Sequence, residues 1–276
     1  MWFDDLGIDA RPQQPAARLA GVPQVLPRRH ASHKGSYGDV AVIGGAPGMV
    51  GAALLAAQAA LYAGAGRVFV APLDAGVPMF DLERPELMFR LPQTLDVQAM
   101  TVVCGCGGGA VVSEVLPRVL RMARSLVLDA DALNAVATDL ALQRLLCERT
   151  AADRATVLTP HPLEAARLLG ISTADVQADR LRAARLLVER FGAAVVLKGS
   201  GSVIAAKGET PVINMTGNAR LATAGTGDVL AGMIGAALAA GEAQMTAACA
   251  AVWRHGELAD RWPSDRPLTA SALARG

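Results

Sequence analysis

Six short apolar runs constrain this chain more than any other feature: DVAVIGG at 39–45, RVFVA at 67–71, MTVVCG at 100–105, SLVLDA at 125–130, ATVLTP at 155–160 and AAVVLKG at 193–199. They are continuous rather than alternating, so a strand built from any of them must be covered on both faces. Longer stretches with helical character separate or follow them, at 51–63, 112–124, 131–137, 162–169, 179–191, 228–240 and 245–259. Strands that alternate with crossover helices form a parallel sheet. GSVIAA and ETPVIN, joined by KGE, add a hairpin to it. The 276 residues, 52% of them hydrophobic, can fill one large core. The expected fold class is therefore α/β, one three-layer domain over 31–276 with a mainly parallel central sheet and helices on both faces. Residues 1–30, rich in Pro, Gln, Ala and Arg, read as an N-terminal arm or lead-in.

Charge excludes some partners. With 26 basic against 25 acidic side chains there is no electrostatic footprint for nucleic acid or an anionic membrane surface. Cys104, Cys106, Cys147 and Cys249 have neither metal-site spacing nor the density of a disulfide framework, which fits a reducing cytoplasm. The opening MWFDDLGIDARPQQP lacks the basic-then-apolar order of a secretory signal. The Ala- and Gly-rich stretch 49–66, with Gln58 inside it, suits close packing on a sheet better than lipid.

In such a fold, ligands collect at the carboxyl ends of the strands. There VIGG runs into APGMVGA, VVCG into CGGG, LVLD into ADALN, TVLT into PHPLE and VVLK into GSGS. Gly44, Gly45, Gly48 and Gly51 make a glycine-rich turn that is neither G-x-G-x-x-G nor a Walker loop. Lys198, directly behind a buried strand and ahead of Gly199 and Gly201, favours phosphate or nucleotide contact. His161 stands between two prolines and is either a capping residue or a rigidly presented ligand contact. Asp129, Asp131 and Asn134 could cap, bind ligand hydroxyls or steer a hard cation, with a polar-ligand or structural role preferred to a direct metal site. In ATAGTGDVLAGM, Gly225, Thr226 and Gly227 can offer N–H groups to a phosphate at a helix N-terminus. Asp228 follows directly, placed to act as a general base during phosphoryl transfer or as a plain cap.

The ordered set HKGSYGDVAVIGGAPGMVGAALLAAQAALYAGAG, LDADALN, LTPHPLEAARLLG, VVLKGSGSVIA, TGNARLATAGTGDVLAGMIGA and AAVWRHGELAD resembles the NAD(P)H-hydrate dehydratase family of the ribokinase-like superfamily, from about His33 to Asp260. The resemblance implies repair of the S epimer of hydrated NADH or NADPH, coupled to cleavage of an adenine nucleotide. Bacterial members typically use ADP, giving AMP and phosphate, and eukaryotic ones use ATP. It implies Asp228 as base and Gly225, Thr226 and Gly227 as anion hole. Lys198, Gly199, Ser200, Gly201, Ser202 and Gly227 would bind nucleotide, and Ala52, Gly107, His161, Asn134 and Asp228 would contact the hydrated dinucleotide. Glu164 would organise Mg2+ through water. Three departures stand out: Ala224 where the family usually has Gly, Leu163 where Gly is common, and CGCGGG in place of a Gly-Pro-Gly loop. The resemblance further implies a separate NAD(P)H-hydrate epimerase as functional partner, and the many apolar helices suit a homo-oligomer. Two other functions use the same motifs: a ribokinase-like small-molecule kinase and a non-catalytic nucleotide sensor.

Overall fold

A computed structural model describes residues 15–24 and 30–276; the arm of residues 1–30 thus lies partly outside the described residues. The elements in chain order are β1 (Arg18–Leu19), β2 (Asp39–Gly44), α1 (Val50–Tyr62), β3 (Arg67–Pro72), β4 (Met88–Phe89), β5 (Thr101–Cys104), α2 (Val112–Met122), β6 (Ser125–Leu128), α3 (Ala130–Thr138), α4 (Leu140–Ala151), β7 (Thr156–Leu158), α5 (Pro162–Leu169), α6 (Thr173–Ala178), α7 (Arg180–Phe191), β8 (Ala194–Leu197), β9 (Val203–Ala205), β10 (Val212–Ile213), α8 (Thr226–Ala239), α9 (Gln244–Asp260) and α10 (Ala270–Leu273). The strands form one sheet in the order β1-β10-β9-β8-β7-β6-β5-β2-β3-β4. Only β9 runs against its neighbours, as the middle of the β8–β9–β10 meander. The mainly parallel α/β architecture expected from the apolar runs is the one observed.

Because side chains alternate across a strand, each run feeds two cores. Val40, Val42, Val68, Val70, Val103 and Val127 face α1, α8, α9 and α10. Their neighbours Ala41, Ile43, Phe69, Val102, Leu126 and Leu128 face the layer formed by α2 to α7. The α1 helix, which carries the Ala-rich stretch, buries Ala53, Ala56, Ala57, Ala59 and Ala60. Among the described residues no helix is long and apolar enough to cross a membrane.

Helices α1 and α8 approach so closely that a β-carbon built on Gly232 would lie 2.0 Å from the Ala56 carbonyl oxygen. Gly232→Ala should therefore force the two helices apart and cost about 1–3 kcal/mol, the usual penalty of overpacking. A denaturant titration reads this as a lower midpoint at unchanged slope, and a wild-type midpoint would show that the contact yields.

The arm itself contributes to the sheet. Arg18 and Ala20 donate their N–H groups to Pro211 and Ile213 carbonyls, both at 2.9 Å, which makes β1 the outer strand beside β10.

Candidate active site

Four neighbouring strands, β5 to β8, deliver the polar residues to one end of the sheet. Asp129 immediately follows β6 and is almost wholly buried. It occupies the N-cap position of α3 but makes no cap bond with its side chain. Its Oδ1 instead accepts from Thr159 Oγ1 at 2.8 Å, after β7, and from Lys198 Nζ at 2.7 Å, after β8. The next residue, Ala130, has φ +47°, a left-handed conformation that is costly for a residue with a β-carbon. Burial opposes the Lys198 charge, but Asp129 and then Glu164 outweigh it and raise its pKa, so the ammonium is held.

Helix α8 brings the second half of the site. Gly225 is its N-cap at φ +90°, a conformation that favours glycine, and a β-carbon there would also crowd the Leu55 side chain at 2.5 Å. A β-carbon on Gly227 would lie 3.3 Å from Lys198 Nζ, which places the first turn of α8 against that ammonium. The Thr226 hydroxyl donates to the Leu221 and Thr223 carbonyls, leaving its backbone to shape the turn. Asp228 meets Asp129 and Cys106 across the strand ends: the Cys106 sulfur and one oxygen of each carboxylate lie within 4.8 Å of one another. Burial first, and the Asp129 charge second, lift the Asp228 pKa from 3.8 to about 6. The Cys106 hydrogen bond and Lys198 pull it back down. Asp228 is thus a carboxylate poised to take a proton near neutral pH.

Beside this cluster lies a cavity of about 740 Å³. Its walls include the whole loop Lys198, Gly199, Ser200, Gly201 and Ser202, the α8 residues Thr226 and Gly227, and part of the segment that leads from Asn214 toward α8. The nucleotide-binding and anion-hole residues expected from sequence therefore share one space, apart from Gly225 at its edge of the turn.

The remaining expected contacts fall elsewhere. Ala52 and Gly107 are neighbours, since a β-carbon on Gly107 would lie 2.9 Å from the Ala52 β-carbon and 2.6 Å from the Met49 carbonyl oxygen. Neither lines the 740 Å³ cavity. His161 caps α5: its Nδ1 accepts from Leu163 N and Glu164 N, while Glu164 Oε2 accepts from His161 N at 2.7 Å. The capping reading of His161 is thus realised, and 46% of its side chain remains exposed for a ligand. Burial, then Lys198, lower its pKa, so the ring is neutral at pH 7. Glu164, only 4% exposed, has Oε2 4.0 Å from Lys198 Nζ and is held chiefly as part of the cap. Asn134 Oδ1 accepts from Arg167 at 2.7 Å. Asp131 accepts from Gly109 N at 2.9 Å, which fixes the CGCGGG loop. The Ala224 residue is exposed, so its additional methyl group leaves the Gly-Thr-Gly turn intact.

Two members of the cluster carried no signal of their own. Cys106 is an apolar-looking residue in a glycine run, and only the sheet order brings it to Asp228. His255, in α9, is 8% exposed; its Nε2 lies 2.9 Å from the Thr226 carbonyl oxygen, and burial lowers its pKa to about 4. It is therefore a neutral ring that donates to the first turn of α8.

This sequence and fold have counterparts. The sequence profile of the NAD(P)H-hydrate dehydratase family matches residues 40–275. The ADP-dependent (S)-NAD(P)H-hydrate dehydratase of Neisseria meningitidis is 43% identical over 90% of this chain and 84% of its own length. A bifunctional NAD(P)H-hydrate repair enzyme of Escherichia coli is 39% identical over 94% of this chain, which spans about half, 51%, of that relative. The crystal structure of the ADP/ATP-dependent NAD(P)H-hydrate dehydratase of Bacillus subtilis, co-crystallised with ATP and Mg2+, superposes with a TM-score of 0.77 at 30% identity, covering 92% of this chain and 91% of that one. With a matching profile over most of its length and a ribokinase-like sheet carrying the Gly-Thr-Gly-Asp turn, the chain belongs to the NAD(P)H-hydrate dehydratase family.

Proposed function

We propose that the protein dehydrates the S epimer of hydrated NADH or NADPH and drives the loss of water by cleaving an adenine nucleotide, with ADP giving AMP and phosphate. The observation that carries this reading is that Lys198, Thr226 and Gly227 line the 740 Å³ cavity while Asp228, the next residue of the same turn, meets Asp129 and Cys106. Hydroxide is a poor leaving group, whereas phosphate is a good one. Asp228 takes the proton of the substrate hydroxyl as its oxygen attacks the terminal phosphorus of the nucleotide. N–H groups at the start of α8 and the helix dipole hold the transferring phosphoryl group, and AMP leaves. The ring nitrogen then expels phosphate from the phosphorylated carbon, and loss of a proton from the adjacent carbon restores the double bond. In this reading His161, with Ala52, Gly107 and Asn134, orients the dinucleotide.

Magnesium fits this site through water and the nucleotide's own phosphates rather than through a protein cage. Both Glu164 oxygens are engaged by His161, and Asp129 is engaged by Lys198. Bound there, the ion would neutralise charge on the transferring phosphate. The E. coli relative is a bifunctional repair enzyme, and this reading gives epimerisation to a separate partner protein; self-association into a homo-oligomer goes with it.

Products separate this reaction from simple phosphoryl transfer. Phosphorus NMR of a turnover mixture should contain AMP and inorganic phosphate in equal amounts. A stable phosphorylated alcohol in place of free phosphate would instead make the protein a kinase.

A further inference from the structure

The six carbonyl groups from Leu197 to Ser202 are all taken by the protein. Arg180, the first residue of α7, accounts for four of them: one terminal nitrogen donates to Ser200 O and, at 3.0 Å, to Gly201 O, and the other donates to Leu197 O at 3.1 Å and Lys198 O at 3.2 Å. Ser202 Oγ donates to Gly199 O at 3.1 Å, and Asn214 N donates to Ser202 O at 2.9 Å. The amides are treated differently. Lys198 N donates to Pro160 O and a turn over 200–201 closes at Ser202, but among the described residues none of the turn and loop hydrogen bonds starts from the N–H of Gly199, Ser200 or Gly201. A backbone that spends every carbonyl inward and keeps successive N–H groups free is a concave anion site. The guanidinium also lies directly behind it, since a β-carbon on Gly199, at φ +146°, would meet an Arg180 nitrogen at 2.8 Å. The positive φ favours glycine at position 199, and any larger residue there would also crowd the guanidinium. The Arg180 Nε is buried and has no hydrogen-bond partner among the described residues.

We propose that Arg180 is the positioning residue of the phosphate loop: by gathering the carbonyls of 197, 198, 200 and 201 behind the loop it turns the amides toward the cavity and adds positive potential to them. The inference rests on the reading of 198–202 as the nucleotide loop. Arg180 touches no substrate; it acts through the backbone. It also explains why α7 must begin where it does: Asp179 caps it through Arg182 N at 2.9 Å and so fixes Arg180 at the first helical position.

The test compares wild type, Arg180→Lys and Arg180→Ala by titration calorimetry with inorganic pyrophosphate, which needs the loop but neither adenine nor hydrate. A single ammonium cannot span four carbonyls. Both variants should bind pyrophosphate about 10- to 100-fold more weakly, the range for lost hydrogen bonds to a charged group. Added guanidinium ion should restore binding to Arg180→Ala and do nothing for wild type. KM for the nucleotide should rise by a similar factor, with KM for the hydrate unchanged. Wild-type affinity in a folded Arg180→Lys or Arg180→Ala variant, or no binding of pyrophosphate by wild type, would overturn the proposal. Equal losses for nucleotide and hydrate without guanidinium rescue would also overturn it, by making Arg180 a general structural residue. Wild-type turnover of the hydrate is read separately, so a failed reading of function and a failed clamp give different results.

Discussion

Asp228→Asn should lose hydrate turnover by about 10²–10⁴-fold, the contribution of a positioned general base, while nucleotide binding stays within error of wild type. Asparagine keeps the size and the hydrogen bonds of the side chain but cannot take a proton. The pH dependence follows from the same residue. Asp228 must be ionised to act, and burial lifts its pKa to about 6. In wild type, kcat/KM should climb with pH through a transition near 6, falling about tenfold per unit below it. Stability has the opposite sign. A carboxyl whose folded pKa lies above its unfolded value favours folding while protonated, and this contribution is lost as pH rises from about 4 through about 6. Asp228→Asn should therefore be the more stable protein at pH 7 in a denaturant titration and lose that advantage at pH 4. A variant that keeps full turnover, or a flat wild-type pH profile between 5 and 7 in the assay, would remove Asp228 from the chemistry.

The second large effect concerns the pair beneath it. Lys198→Met should destabilise the protein by about 3–5 kcal/mol, because it leaves the carboxylate of Asp129, with 2% of its side chain exposed, without its cation. It also removes one of the two influences that hold the Asp228 pKa down, so any residual activity should show its acid limb at higher pH. Lys198→Met combined with Asp129→Asn should recover most of the stability, since the uncompensated charge is gone, but none of the nucleotide affinity. Equilibrium unfolding of the two single variants and the double variant gives the coupling. Additive losses would mean that the 2.7 Å contact carries no coupling energy.

The sheet was legible because its strands are buried on both faces. Runs such as TVVC and SLVL can hardly be anything else once helices lie between them, and all six became strands within a residue or two of their expected bounds. The capped helix Pro162–Leu169 was also legible, for His161, Pro162 and Glu164 spell its start. Helix α4 was not. Its buried face runs Leu142, Leu146, Arg149, and the arginine breaks the apolar period. Arg149 is tolerated inside because its guanidinium donates to Thr156 Oγ1 and to four carbonyls, those of Leu120, Ala123 and Arg124 in a distant segment and that of Ala155 nearby. Strands β1 and β4, two residues each, are too short to carry a pattern and exist through their neighbours' hydrogen bonds.

The site divides along the same line. Lys198, Gly225–Gly227 and Asp228 announce themselves by local chemistry, a cation or a carboxylate set against glycines at an element boundary. Asp129 was visible as a strand-end acid, but its tie to Lys198 spans 69 positions and depends on the β6-β7-β8 order. Cys106 and Arg180 look ordinary in sequence. One acquires meaning only beside Asp228, the other only behind the loop that follows β8.

The central claim is tested most directly by supplying purified protein with hydrated NADH, magnesium and either ADP or ATP, and following reduced-nicotinamide absorbance together with phosphate release. The account predicts recovery of NADH and release of phosphate in equal amounts with ADP. Phosphate release without NADH recovery, or no reaction with either nucleotide from a protein that binds them, would contradict it.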